Sequence, residues 1–224
     1  WALLLALARK IPQSDTYCRK GKFTGWDPLL FLGKELSGTT LGIIGCGRIG
    51  SAVARRAAGF NMNIIYYSRH RNTACEKECS AEHTSLEELL SRADIISLHL
   101  PLTEETEYLI DKPALARMKN DAFIINTSRG PVVNEKALGE ALLSKQIGGA
   151  ALDVFEHEPA IEETLLTLDN VVLTPHTGSA TIHARERMAV MAAENIIAVL
   201  RGEKPPNLVN PQAERTINSG RQPE

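Results

Sequence analysis

The hexapeptide Gly45-Cys46-Gly47-Arg48-Ile49-Gly50 constrains this chain more than any other feature, because of what flanks it. It leaves a short apolar, β-rich run at residues 39–44 and opens a segment of helical character at 48–60. A second strand-like run follows at 63–67. A G-x-G-x-x-G alone is a weak signal, but inside a βαβ unit each glycine has a task. Gly45 makes the tight turn, Gly47 lets backbone approach a pyrophosphate, and Gly50 lets the helix pack on the strand. The helix N-terminus adds free N–H groups and the positive end of its dipole. The expectation is a dinucleotide site at residues 45–50.

Downstream the alternation continues, with a helix at 86–92, a strand at 94–100 and a helical stretch around 113–118. A strand at 122–126, a helix at 135–145 and strands at 150–155 and 171–174 complete it. These strands are nearly continuous apolar runs, which marks a parallel sheet buried on both faces. The fold class is therefore α/β, a Rossmann-type doubly wound parallel sheet. Residues 181–200 read as one long helix, with Ile182, Met188, Met191, Ile196 and Val199 near a helical period and Gly202 and Pro205 stopping it. Residues 202–224 are polar and contain prolines, and the last dozen are expected to be disordered.

Two segments precede the first strand. Residues 1–8 (WALLLALA) are apolar but too short to span a bilayer, and Arg9 and Lys10 follow the run rather than precede it, unlike a secretory signal. They read as a helix that began upstream, and the initial Trp in place of Met leads to the expectation of a fragment of a longer chain. With Leu and Ala on nearly every side, this helix is expected to need more cover than one domain face gives, hence a homodimer. Residues 20–38, with four glycines and one proline, read as a linker. Twenty-five Lys and Arg against 27 Asp and Glu give a net charge of −2, so neither nucleic acid nor a membrane is expected as a partner. Four sparse cysteines point to a reducing, cytoplasmic setting.

A dinucleotide site usually carries an acid about twenty residues past the loop, hydrogen-bonded to the ribose. No acid stands there. The second strand ends Tyr67-Ser68-Arg69-His70-Arg71, offering a hydroxyl and two guanidinium groups where a 2′-phosphate would lie. NADP fits this turn; NAD held through Ser68, with the cations solvated, is the alternative.

Open α/β sheets bind ligands at the carboxyl ends of their strands. Arg129 follows the strand FIINTS, Glu158 follows ALDVF and His176 follows VVLTP. Hydride delivered to a ketone carbon leaves charge on oxygen, so a proton donor near neutral pKa is needed, and His176 suits that role. Glu158 would hold the imidazole and favour its charged form. Arg129 would bind a substrate carboxylate and polarise the carbonyl. Each alone has a bland reading as a loop ion pair or a strand-end histidine. Together, beside a dinucleotide loop, they are the kit for reducing a 2-oxo acid.

Through LGIIGCGRIG, INTSRG, ALDVFEHEP and LTPHTGSA, the sequence resembles the D-isomer-specific 2-hydroxyacid dehydrogenase family from residue 1 to about 210. FNMNIIYYSRH and RGEKPPNLVN make it most similar to the glyoxylate/hydroxypyruvate reductases of that family. The resemblance implies Arg129 as substrate-binding cation, His176 as acid/base and Glu158 as its partner. It also implies cofactor contacts from residues 46–49, from Ser68, Arg69 and His70, from Thr127, Ser128 and Arg129, and from His176, Thr177 and Gly178, with Asp153 facing the nicotinamide amide. Residues 1–201 then correspond to the dinucleotide-binding domain with its two crossing helices, and 202–224 to a segment returning to a substrate domain whose N-terminal part this sequence lacks. A phosphoglycerate-type dehydrogenase and a dinucleotide-binding interaction module without turnover are the alternatives.

Three further features point elsewhere on first inspection. Cys75, Cys79 and His83, spaced four apart, could share a helical face and suggest a metal, but no second cluster supplies a fourth ligand, so none is expected. Cys46 at a helix N-terminus has no evident general base beside it and reads as a small loop residue. His99, ending the strand SLHL, is expected to be packed rather than to line the adenine pocket.

Overall fold

The computed structural model describes residues 1–210 and 212. Two helices come first, α1 (Ala2–Ala8) and α2 (Ile11–Arg19), followed by irregular chain to β1 (Thr40–Ile44). Then come α3 (Arg48–Ala57), β2 (Asn63–Tyr67), α4 (Thr73–Cys79), β3 (Glu82–His83), α5 (Leu86–Arg92) and β4 (Ile95–Leu98). The remainder is α6 (Lys112–Arg117), β5 (Phe123–Asn126), α7 (Glu135–Leu143), β6 (Gly149–Leu152), α8 (Glu163–Leu166), β7 (Val171–Leu173) and α9 (Ile182–Arg201). The strands form one seven-stranded sheet in the order β3-β2-β1-β4-β5-β6-β7, and every pairing is parallel.

The unbroken apolar runs have a simple cause. Successive strand residues face opposite sides of the sheet, and both sides are cores. Ile44, Ile96, Ile124 and Ala150 pack with Leu89, Leu90, Leu115, Leu138 and Leu142 from α5, α6 and α7 on one face. Their neighbours Ile43, Ile95, Ile125 and Ala151 pack with Leu4, Leu7, Ala54, Ala57 and Cys75 from α1, α3 and α4 on the other.

Several boundaries differ from expectation. The strand expected at 150–155 ends at Leu152, and that expected at 94–100 ends at Leu98. His83 lies on the two-residue strand β3 while Cys75 and Cys79 lie on α4, so the three residues share no helical face. Helix α1 buries Leu4, Leu7 and Ala8, packs Leu3 and Leu5 against the same core, and stacks Trp1 on Phe60 at 4.7 Å between ring centroids. It therefore finds its cover within the chain, which removes the reason first given for a second copy.

The chain divides into two compact units, residues 1–176 and 177–224. The long helix thus falls in the second unit, where the sequence reading grouped it with the first 201 residues. In that second unit Thr181 caps α9 by accepting from the N–H of Ala184 at 3.2 Å, and Gly202 ends it at φ 75°. The expected disorder of the last dozen residues lies outside the described residues. Among the described residues no helix is long and apolar enough to cross a membrane.

Candidate active site

The sheet order reverses at β1, whose two neighbours are β2 and β4, and the glycine loop leaves the carboxyl end of β1. Gly45 sits at φ +96°, and a Cβ there would lie 2.5 Å from the carbonyl oxygen of His99. A Cβ on Gly50 would lie 2.2 Å from the carbonyl oxygen of Gly45, so α3 starts in backbone contact with the loop. Gly47 differs from both, with no atom within 4 Å of the Cβ it lacks. It is also the N-cap of α3 and offers no side-chain cap. The first N–H groups of α3 are thus left for a ligand, and the clearance in front of them is what a pyrophosphate needs. The residues present fit a dinucleotide.

A cavity of about 400 Å³ continues from the loop and gathers Gly45, Cys46, Gly47, Ser68, Arg69 and His70. Ser68 Oγ closes the turn on the carbonyl oxygen of His70 at 2.5 Å. Of the two guanidinium groups expected there, only Arg69 lines the cavity. Arg71 Nε instead donates to Glu76 at 2.7 Å, and Glu76 also accepts from the Tyr66 hydroxyl. An acid does face this space, but from a neighbouring loop. Glu105 lines the cavity, and its carboxyl is held below the usual range by the Thr103 hydroxyl first and further by Arg69. His99 lines the cavity as well; burial pushes its imidazole down to about 4, and its Nε2 lies 2.9 Å from Ser97 Oγ. It is both packed and cavity-facing. Cys46 is buried, with Asn72 Nδ2 donating to its carbonyl oxygen at 2.7 Å. Arg48 and Ile49 are exposed on the first turn of α3, and Ile49 lies outside this cavity.

Strands β5, β6 and β7 are adjacent and parallel, so the segments after them emerge on one edge. Arg129 follows β5 on a turn held by Asn126, a buried residue that the sequence reading did not single out. Its Oδ1 accepts from the Ser128 N–H and hydroxyl, and its Nδ2 donates to the carbonyl oxygen of Arg129 at 2.9 Å. Thr127 and Arg129 are exposed on this turn and Ser128 is buried. After β6, Asp153 is buried and accepts from the Thr174 hydroxyl. Glu158 Oε1 accepts from the N–H of Phe155 at 3.1 Å, and its Oε2 lies 3.0 Å from His176 Nδ1. These two partners, the imidazole foremost, hold the Glu158 carboxyl below the usual carboxylate range. His176 adopts φ 54°, a left-handed conformation that costs a bulky residue energy and survives only where the surroundings impose it. Thr177 and Gly178 are exposed at the start of the second unit.

The structure therefore brings Glu158 and His176 into contact and sets Arg129 on the same sheet edge. Among the described residues no group of three or more His, Cys, Asp or Glu is arranged to hold a metal. Chemically, the edge offers one imidazole with a carboxylate on its Nδ1, which leaves Nε2 for an external proton acceptor.

A doubly wound parallel sheet with a glycine loop at its switch point is a dinucleotide-binding domain of Rossmann type. The chain belongs to the D-isomer-specific 2-hydroxyacid dehydrogenase family, whose NAD-binding domain matches residues 1–178. Glyoxylate reductase of Thermococcus litoralis is 55% identical over 214 residues, covering 94% of this chain and 65% of that protein. The crystal structure of the TT0316 protein from Thermus thermophilus superimposes with a TM-score of 0.88 at 47% identity, over 93% of this chain and 66% of that one. An acyclic imino acid reductase solved with NADPH and D-Arg gives a TM-score of 0.81 at 38% identity, over 93% and 65%. The chain thus spans about two thirds of the length of the proteins it matches.

Proposed function

We propose that the protein is an NAD(P)H-dependent reductase of a small 2-oxo acid, glyoxylate or hydroxypyruvate, giving the 2-hydroxy acid. The observation that carries this reading is the 3.0 Å contact of Glu158 with His176 Nδ1, on the sheet edge that also bears Arg129. Residues 45–50 and 68–70 would hold the dinucleotide, with Thr127, Ser128 and Asp153 on its nicotinamide side. When bound, the reduced nicotinamide supplies a hydride to the carbonyl carbon. Arg129 binds the carboxylate and draws charge toward the carbonyl oxygen. His176 releases its Nε2 proton to that oxygen as charge develops, while Glu158 holds Nδ1 and stabilises the imidazolium before transfer. Arg69 beside the adenosine end supports NADP, in keeping with the NADPH held by the imino acid reductase neighbour. Four unbridged cysteines support a reducing compartment, the cytoplasm.

We also propose a homodimer, on a different surface from the one first expected. Phe23, Trp26, Leu29 and Leu32, at 62, 85, 73 and 60% exposure, line the irregular segment between α2 and β1. Four large apolar side chains left in water within ten residues of one another suit a face that a second copy covers. Light scattering of a variant with Ser at positions 26 and 29 is expected to give half the mass of the parent protein; equal masses would remove this proposal.

The functional reading is tested by following NADPH and NADH oxidation by the whole protein with glyoxylate and with hydroxypyruvate. Turnover with at least one pair is expected. Tight dinucleotide binding without turnover of any 2-oxo acid would favour the interaction module instead.

A further inference from the structure

Glu135 is a carboxylate that the proposed chemistry does not use, yet it is only 5% exposed. It opens α7, and Asn134 already caps that helix by accepting from the N–H of Ala137 at 2.9 Å. The Glu135 side chain is therefore not needed as a cap. It turns instead to the segment that carries Glu158: Oε1 accepts from the backbone N–H of Glu156, and Oε2 accepts from that of Glu162 at 3.3 Å. These two donors flank Glu158 on both sides. The tie is reciprocal, since the N–H of Glu135 donates to Glu156 Oε2 at 3.1 Å, while the Tyr108 hydroxyl donates to Glu156 Oε1.

The same carboxylate is continuous with the Arg129 turn. Residues 130–134 run directly from Arg129 to Glu135 and are held by Ile110, whose N–H donates to Val132 and whose carbonyl accepts from Asn134. Gly130 lies flat on the Phe155–Glu156 peptide, so closely that a Cβ would fall 1.8 Å from the carbonyl oxygen of Phe155. One buried group thus joins the segment bearing the cation to the segment bearing the acid that grips His176. Burial raises the Glu135 carboxyl above its ordinary value, and the like charges of Glu156 and Glu162 add to this, while the two N–H donors pull it down. Tyr108, on Glu156 Oε1, and His157, 3.6 Å from the same oxygen, are further titratable groups at this junction.

We infer that Glu135 is a positioning residue, which fixes the separation of Arg129 from the Glu158–His176 pair by holding the segment 156–162 at both ends against α7. This rests on the reductase reading for its kinetic consequence, though not for its geometry. A carboxylate accepts both N–H groups, whereas an amide presents its own NH₂ to one of them. Misplacement of a reacting group by about 1 Å costs about a hundredfold in rate.

The test compares the whole wild-type protein with Glu135→Gln and Glu135→Asp. For Glu135→Gln the dissociation constant for NADPH, and the KM for it, are expected to stay within about twofold, while kcat with glyoxylate falls at least about tenfold. Glu135→Asp, which keeps the charge but shortens its reach, is expected to recover part of kcat. A Glu135→Gln enzyme with wild-type kcat would overturn the inference. So would a loss of kcat matched by an equal loss of NADPH affinity, which marks general loosening. Hydrogen exchange on the wild type decides the matter if the variants do not fold: the amides of Glu156 and Glu162, outside any strand, are expected to be protected at least about a hundredfold, and rapid exchange at both would overturn the lock. If the wild type reduces no 2-oxo acid, the reductase reading fails, while hydrogen exchange still judges the lock on its own.

Discussion

The glycine-loop cavity and the Arg129–Glu158–His176 edge stand on one sheet but are made of different materials. The cavity is built from main chain: three glycines whose missing side chains allow a turn, a clearance and a helix–loop contact, and the first N–H groups of α3. Once the βαβ unit folds, those groups have no other geometry to adopt. The edge is built from side chains, and His176 and Glu158 keep 55 and 38% of theirs in solvent. A developing charge surrounded by water is poorly stabilised by fixed dipoles. On the proposed function, the difference teaches that cofactor binding rests on main chain, whereas turnover rests on half-exposed side chains.

The sharpest way to break this comparison is at His176. His176→Ala is expected to lower kcat by about 10²–10⁴ while dinucleotide affinity changes less than twofold; calorimetry beside steady-state kinetics reads both, and a parallel loss would mean that the two regions are one site.

A smaller effect sharpens the cavity half. Arg69→Ala is expected to weaken NADPH by about ten- to a hundredfold, as one charge-assisted hydrogen bond of about 1.5–3 kcal/mol is lost, with NADH little altered. Equal losses for the two cofactors would sink the assignment of Arg69 to the 2′-phosphate. The smallest effect concerns pH. The folded-state value of Glu158 lies below its unfolded one, so its contribution to stability is complete above the unfolded value and disappears as pH falls through the folded one. With a half-exposed pair this amounts to well under about 1 kcal/mol. Denaturant titrations down the acid range should give a slightly shallower loss for Glu158→Gln than for the parent protein, and identical profiles would deny the pair any linkage.

Much of this was legible in the residues because backbone rules leave marks in sequence. Gly45, Gly47 and Gly50 announce their loop, and the doubled apolar strands announce two cores. Arg129, Glu158 and His176 were found simply as the charged groups following three strands. What stayed hidden had no periodicity to betray it. Helix α2 buries no residue, α4 buries only Cys75, and β3 is two exposed residues long. Arg71 looked available because nothing in the local sequence reveals its pairing with Glu76. Glu135 reads as an ordinary acid in a first helical turn; only burial and the approach of Glu156, 21 residues away, disclose its task.

The division of neighbouring strand residues between two cores has a consequence for how this domain can vary over evolutionary time. A single insertion or deletion within β1, β4, β5 or β6 would hand Ile43 the place of Ile44, or Ile95 that of Ile96, and exchange the contents of both cores at once. Length changes are thereby driven out of the strands and into the connections at either end of the sheet. Those at the carboxyl ends alter the surroundings of the glycine loop and of the edge that bears Arg129, Glu158 and His176. The double-sided core acts as a ruler that keeps the scaffold constant and makes the functional loops the natural place for lineages to diverge.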